Sequence, residues 1–142
     1  VCSSDLVATI ANAMDVGDPS NFARILDLYG RSLEAIRADI SAARYDDGQI
    51  CRAIAETLER TGYLLDPHGA CGYLALCEGL REDETGVFLE TAHPAKFRDR
   101  VEPVIGRSIE IPARLAEFMR GKKLSVELPA DFGAFRDFLM AK

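Results

Sequence analysis

One stretch of this chain reads as a strand, and one strand cannot make a sheet. In Gly86-Val87-Phe88-Leu89-Glu90-Thr91, three apolar residues follow a glycine in succession. That is the pattern of a strand covered on both faces, as in parallel sheets. Leu64 and Leu65 offer at most a second, very short strand before Asp66-Pro67. The fold class expected is α/β and helix-rich. Either the domain is nearly all helical, or its one or two short strands belong to a larger sheet whose other strands lie outside this chain. The buried type of strand favours the second.

The remaining apolar residues recur at helical spacing. Phe22, Ile25, Leu26 and Tyr29 form one stripe, entered through Asp18-Pro19-Ser20 and closed by Gly30. Leu33, Ile36 and Ile40 form a second. Asp46 and Gln49 have the spacing of a capping box, with Asp as the cap, and open a helix with Ile50, Ile54 and Leu58 inside and Gly62 at its end. Ala70, Tyr73, Leu74 and Cys77 continue the pattern after Asp66-Pro67. Pro94 suits the first position of a helix whose inner face is Phe97, Val101, Val104 and Ile105, with Pro103 expected to kink or shorten it. Ile111-Pro112 opens another, carrying Leu115, Phe118 and Met119. Leu128-Pro129 opens the last, with Phe132, Phe135 and Leu139 inward. Without a repeat or a compositional boundary, residues 1–142 read as a single domain.

A hydrophobic fraction of 48% in 142 residues allows a real core. The net charge of −6 disfavours general nucleic-acid binding, since it repels phosphate backbones. No apolar run approaches the roughly 20 residues of a membrane span, and nothing reads as a leader, so a cytoplasmic protein without membrane attachment is expected. The first residue is Val1, not Met, which trimming, or excision from a longer protein, would explain.

Three segments carry chemistry-bearing residues. Leu89-Glu90-Thr91-Ala92-His93-Pro94-Ala95-Lys96-Phe97 runs from the carboxyl end of the expected strand into a helix, the crevice where open α/β sheets bind ligands. Thr91 would place a hydroxyl there, and His93 would cap the helix or reach a ligand. The same spacing also suits a plain strand–loop–helix joint. Asp66-Pro67-His68-Gly69 carries the second histidine, read either as an acid–base or metal group or as a ring that satisfies a buried backbone donor. In Asn12-Ala13-Met14-Asp15-Val16, Met14 and Val16 read as core and Asp15 as a turn or cap residue. Cys2, Cys51, Cys71 and Cys77 lack zinc-knuckle spacing, and Cys77 reads as a small buried hydrophobe, so no metal is expected. Asp46-Asp47 and Glu82-Asp83-Glu84 read as solvated turn charges.

Taken together, Asn12-Ala-Met-Asp-Val16 with Pro19-Ser-Asn-Phe22, Asp66-Pro-His-Gly69, Thr91-Ala-His-Pro-Ala-Lys-Phe97 and Leu128-Pro-Ala-Asp-Phe132 resemble, in order and spacing, the carboxyl-terminal part of the threonine synthase family. That family consists of pyridoxal-phosphate enzymes of the tryptophan-synthase-β-like fold (fold type II). The resemblance implies conversion of O-phospho-L-homoserine and water to L-threonine and phosphate. It implies Thr91 as the partner of the cofactor's ring nitrogen, and Asn12, Asp15 and His93 as residues lining the site. It places the Schiff-base lysine in an amino-terminal part that this chain lacks. Lys96, Lys122, Lys123 and Lys142 are the only lysines here, and Lys96 reads as a helix residue, so the chain alone is expected to be a catalytically inactive fragment with no catalytic residue of its own. An apolar face left bare beside Val87–Leu89 would drive self-association. Two alternatives stand beside this: a helical binding module without chemistry, and another fold type II enzyme such as a threonine or serine dehydratase.

Overall fold

The structure, a computed structural model, describes residues 6–141; Val1, Cys2 and Lys142 lie outside the described residues. Its regular elements are helical: a 3-10 turn Asn12–Met14, then α1 Phe22–Leu28, α2 Leu33–Asp39, α3 Asp47–Thr61, α4 Pro67–Gly79, a 3-10 turn Pro94–Phe97, α5 Arg98–Ile105, α6 Ala113–Met119 and α7 Phe132–Met140. The chain divides into two compact units, residues 1–110 and 111–142.

In the first unit, α3 packs on both α4 and α5. Its start is the capping box expected: Gln49 N–H donates to Asp46 Oδ1 at 2.8 Å, and Asp46 N–H donates to Gln49 Oε1 at 3.0 Å. Gly62 ends it in the left-handed conformation, φ 75°, which a side chain would strain. The core is small: Ala11, Ile50, Ala53, Ile54, Leu65, Ala70 and Val101, flanked by half-buried Tyr73, Phe88, Phe97 and Val104. The inner face read for α5 thus holds. Pro103 stays within α5, and the helix ends soon after at Gly106, φ 66°.

In the second unit, Pro112 precedes α6 and Asp131 caps α7, its carboxylate accepting Ala134 N–H at 2.8 Å. That cap sets the start of α7 at Phe132, three residues beyond Pro129, because Asp131 supplies an acceptor that Leu128-Pro129 cannot. None of the residues 111–141 is buried.

Four expectations are corrected. Among the described residues there is no strand, at 64–65 or at 86–91, because a ladder needs a partner and no segment here supplies one. Residues 86–91 instead alternate in burial, with Phe88 and Glu90 half-buried against the helical body, while Val87 (83% exposed) and Leu89 (78%) face outward. One face is covered, and the other is the bare apolar face expected beside Val87–Leu89. Met14 and Val16 are exposed, not core, Met14 lying on the wall of an open cleft where solvent reaches it. Cys77 is exposed, near the end of α4. Phe132, Phe135 and Leu139 share one face of α7, but that face is open in this chain.

Candidate functional site

The local chemistry is organised by the start of α4. Asp66 is fully buried and caps the helix: Oδ1 accepts His68 N–H at 2.9 Å and Oδ2 accepts Gly69 N–H at 3.4 Å. Pro67, in the first helical position, forfeits no hydrogen bond there. The His68 ring then bridges outward. Its Nδ1 lies 2.9 Å from Asp66 Oδ1, and its Nε2 accepts Ala13 N–H at 3.1 Å. This pattern requires the tautomer with its proton on Nδ1. The ring also packs on Phe97, centroids 4.9 Å apart. One buried histidine therefore joins all three chemistry-bearing segments, and of its two readings the backbone-satisfying one is what the structure contains. Among the described residues, no group of three or more His, Cys, Asp or Glu could hold a metal ion.

Two carboxyl groups meet at this cap. Asp66 N–H donates to Glu90 Oε1 at 3.3 Å. Burial first, then the adjacent Asp66 carboxylate, push the Glu90 carboxyl up to about 8, so it carries a proton at neutral pH. Burial works to raise Asp66 as well, but hydrogen bonds from Glu90 and from the backbone and ring of His68 outweigh it and hold Asp66 below its ordinary value. Burial also raises the Cys51 and Cys71 thiols, which keeps them out of the thiolate form.

Beside the cap lies an open cleft of about 460 Å³, lined by Met14, His68, Gly72, Leu76, Val87 and Thr91 among others. Thr91 is exposed on its wall, and its hydroxyl makes no hydrogen bond within the described residues. The other residues named from the sequence lie elsewhere. Asp15 turns back on its own segment, accepting Thr9 N–H at 2.7 Å and the Thr9 hydroxyl at 2.9 Å. Asn12 is exposed on the 3-10 turn. His93 caps the Pro94–Phe97 turn, Nδ1 accepting Ala95 N–H at 3.1 Å, and opens on a separate cleft beside Tyr63 and Ile105. Lys96 is exposed, its Nζ 6.0 Å from the Phe97 ring, and lies outside the Thr91 cleft.

The family described as "Threonine synthase, C-terminal" matches residues 69–139, half of the chain. The chain belongs to that family. The threonine synthase of Escherichia coli K12 is 41% identical over 133 residues, covering 94% of this chain and 31% of that protein. That of Pseudomonas aeruginosa PAO1 is 31% identical, covering 92% of this chain and 34% of the relative. The crystal structure of the E. coli threonine synthase superposes with a TM-score of 0.73 at 40% identity. That of the pyridoxal-phosphate-bound threonine synthase of Brucella melitensis superposes with 0.74 at 29%. Both cover 96% of this chain and about a third of the neighbour. The chain thus spans about a third of the length of the threonine synthases it matches, and it supplies the helix-rich carboxyl-terminal part. Neither a stand-alone binding module nor a dehydratase is favoured by these relatives.

Proposed function

We propose that this chain is the carboxyl-terminal part of a cytoplasmic, fold type II threonine synthase that converts O-phospho-L-homoserine and water to L-threonine and phosphate with pyridoxal 5′-phosphate. The observation that carries the reading is the cleft that gathers Met14, His68 and Thr91, one residue from each of three of the four family-like segments. Its lining suits the pyridine end of the cofactor: small and apolar groups (Gly72, Ala75, Leu76, Val87) leave room for a flat ring, and Thr91 offers a hydroxyl not spent on the protein. When bound, the cofactor supplies the electron sink that makes such chemistry accessible. Thr91 holds the ring nitrogen by one hydrogen bond, as donor or acceptor, without the charge that would fix a proton there. Asp15 and His93 serve the site indirectly, Asp15 by shaping the 9–15 segment and His93 by capping the turn that follows Thr91. Asn12 serves it only by opening the exposed 3-10 turn that carries Met14 to the cleft.

The test is phosphate release from O-phospho-L-homoserine. The full-length protein, loaded with pyridoxal phosphate, is expected to release phosphate and form threonine. Chain 1–142 alone is expected to release none, since none of its described lysines faces the Thr91 cleft; turnover by the chain alone refutes the reading. Thr91→Val in the full-length enzyme removes one hydrogen bond and is expected to lower kcat roughly threefold to tenfold, with a changed cofactor absorbance spectrum. A spectrum identical to the unmutated enzyme's would remove Thr91 from the ring nitrogen. In isolation, the bare Val87 and Leu89 side chains and the open α7 face favour self-association. Light scattering is expected to show mass above 15.6 kDa that rises with concentration, and a clean monomer at high concentration counts against this.

A further inference from the structure

Glu90 was given no role from the sequence, yet it ties the segment carrying Thr91 to the body of the unit. Its side chain points opposite to Val87, Leu89 and Thr91, into the space over Gly69. A β-carbon at position 69 would fall within the Glu90 carboxyl group, so glycine there makes the room that the carboxyl fills. Oε1 takes the Asp66 N–H. Oε2 is buried, with no donor pointing at it. Asp66, in contrast, is served by the His68 N–H, the His68 ring and the Gly69 N–H. Two carboxyls this close do not both ionise, and the less well served one keeps the proton. The side-chain hydrogen bond between the two carboxyls is therefore donated by Glu90, the partner with fewer donors of its own.

We propose that Glu90 is a positioning residue for Thr91: its protonated carboxyl, hydrogen-bonded to the Asp66 carboxylate over Gly69, fixes residues 86–91 so that the Thr91 hydroxyl meets the cofactor's ring nitrogen. The proposal rests on the reading of Thr91 given above. The same Asp66 holds His68, and His68 holds Ala13, so the three cleft-forming segments hang from one buried anion. The ionisable groups that interact with Glu90 are Asp66, the cap of α4, and Tyr63 from the loop before it, whose phenol is raised by its own burial and by the charges of Glu90 and Asp66. Loss of the Glu90 proton sets two anions against each other with no cation to separate them. Residues 86–91 are then released, and Thr91 with them.

The sign of the pH dependence follows. Glu90 titrates near its ordinary value of 4.5 when unfolded and at about 8 when folded. The stability its proton contributes is complete below 4.5, erodes as pH rises and is gone above about 8. The experiment compares the full-length enzyme with Glu90→Gln, Glu90→Ala, Gly69→Ala and the double variant Gly69→Ala/Glu90→Ala between about pH 6 and 9. Glutamine keeps a donor and cannot ionise. It is expected to retain kcat within about twofold at pH 7 and to abolish a transition near pH 8 in both kcat and the cofactor absorbance. Glu90→Ala and Gly69→Ala are expected to lower kcat roughly tenfold to a hundredfold, with KM for O-phospho-L-homoserine within about threefold. The double variant is expected to be no worse than either single one, because both remove the same contact.

A glutamine variant as impaired as alanine, or one that keeps the transition, overturns the proposal. Thermal unfolding reads the proton apart from catalysis: the unmutated protein's midpoint is expected to fall with pH across this range while that of Glu90→Gln stays level. Parallel midpoints overturn the proposal whatever the enzyme does with substrate. Midpoints that diverge as expected, in a protein that takes up no pyridoxal phosphate, confirm the carboxyl pair, and it is then the Thr91 reading that falls.

Discussion

Asp66→Ala is expected to destabilise the chain by about 3–5 kcal/mol, the range for breaking one side of a buried, hydrogen-bonded charge. Urea unfolding at pH 7 is the measurement. Loss of a helix cap alone costs about 0.5–2 kcal/mol, and here the cap is the smaller part. Asp66 is fully buried and accepts from two backbone N–H groups and the His68 ring. Alanine leaves those donors facing a void that water cannot easily fill, each costing about 1–3 kcal/mol. It also strands the Glu90 carboxyl. Against a typical total stability of about 5–15 kcal/mol, that loss comes close to unfolding the unit.

Asp66→Asn separates charge from hydrogen bonding. The amide oxygen still accepts from the cap, so the loss is expected to be at most half that of alanine. With the neighbouring anion gone, the Glu90 carboxyl is expected to titrate lower than about 8, and the fall in stability with rising pH moves down with it. An asparagine variant as unstable as alanine would show that charge, not acceptor geometry, holds the cap.

What could be read from the sequence divides along a physical line. Asp46 with Gln49, Gly62 and the Ile50–Ile54 stripe are local: their partners lie within a few residues, and each appears as read. Met14, Val16 and the α7 face were misread as buried because burial depends on the surface opposite, which periodicity does not contain, whereas Val87 and Leu89 are bare as a chain without its amino-terminal part was expected to leave them. At the site, Thr91 and His68 do share a cleft, whereas His93 opens on a different one and Asp15 is occupied by Thr9. Glu90 was missed although a signal existed. A carboxylate directly after the apolar run Val87-Phe88-Leu89, with glycine in place of a bulkier helix former at 69, is a local inconsistency that the close approach of Glu90 over Gly69 resolves.

Ile54→Ala and Phe132→Ala make the same division measurable. Ile54 is fully buried where α3 meets α4 and α5. Its truncation is expected to cost about 2–5 kcal/mol, because the core is small and its helices are held on several sides, so the cavity cannot collapse. Phe132 is a larger side chain but 78% exposed, and in chain 1–142 its truncation is expected to change stability by less than about 0.5 kcal/mol. In the full-length protein the first value should persist and the second should grow, if the remaining two-thirds of the enzyme covers the α7 face. The comparison of the two contexts therefore asks, with one substitution, whether that face is an interface. A Phe132→Ala effect equally small in both would mean that α7 stays open to water, and its alignment of Phe132, Phe135 and Leu139 would need another partner.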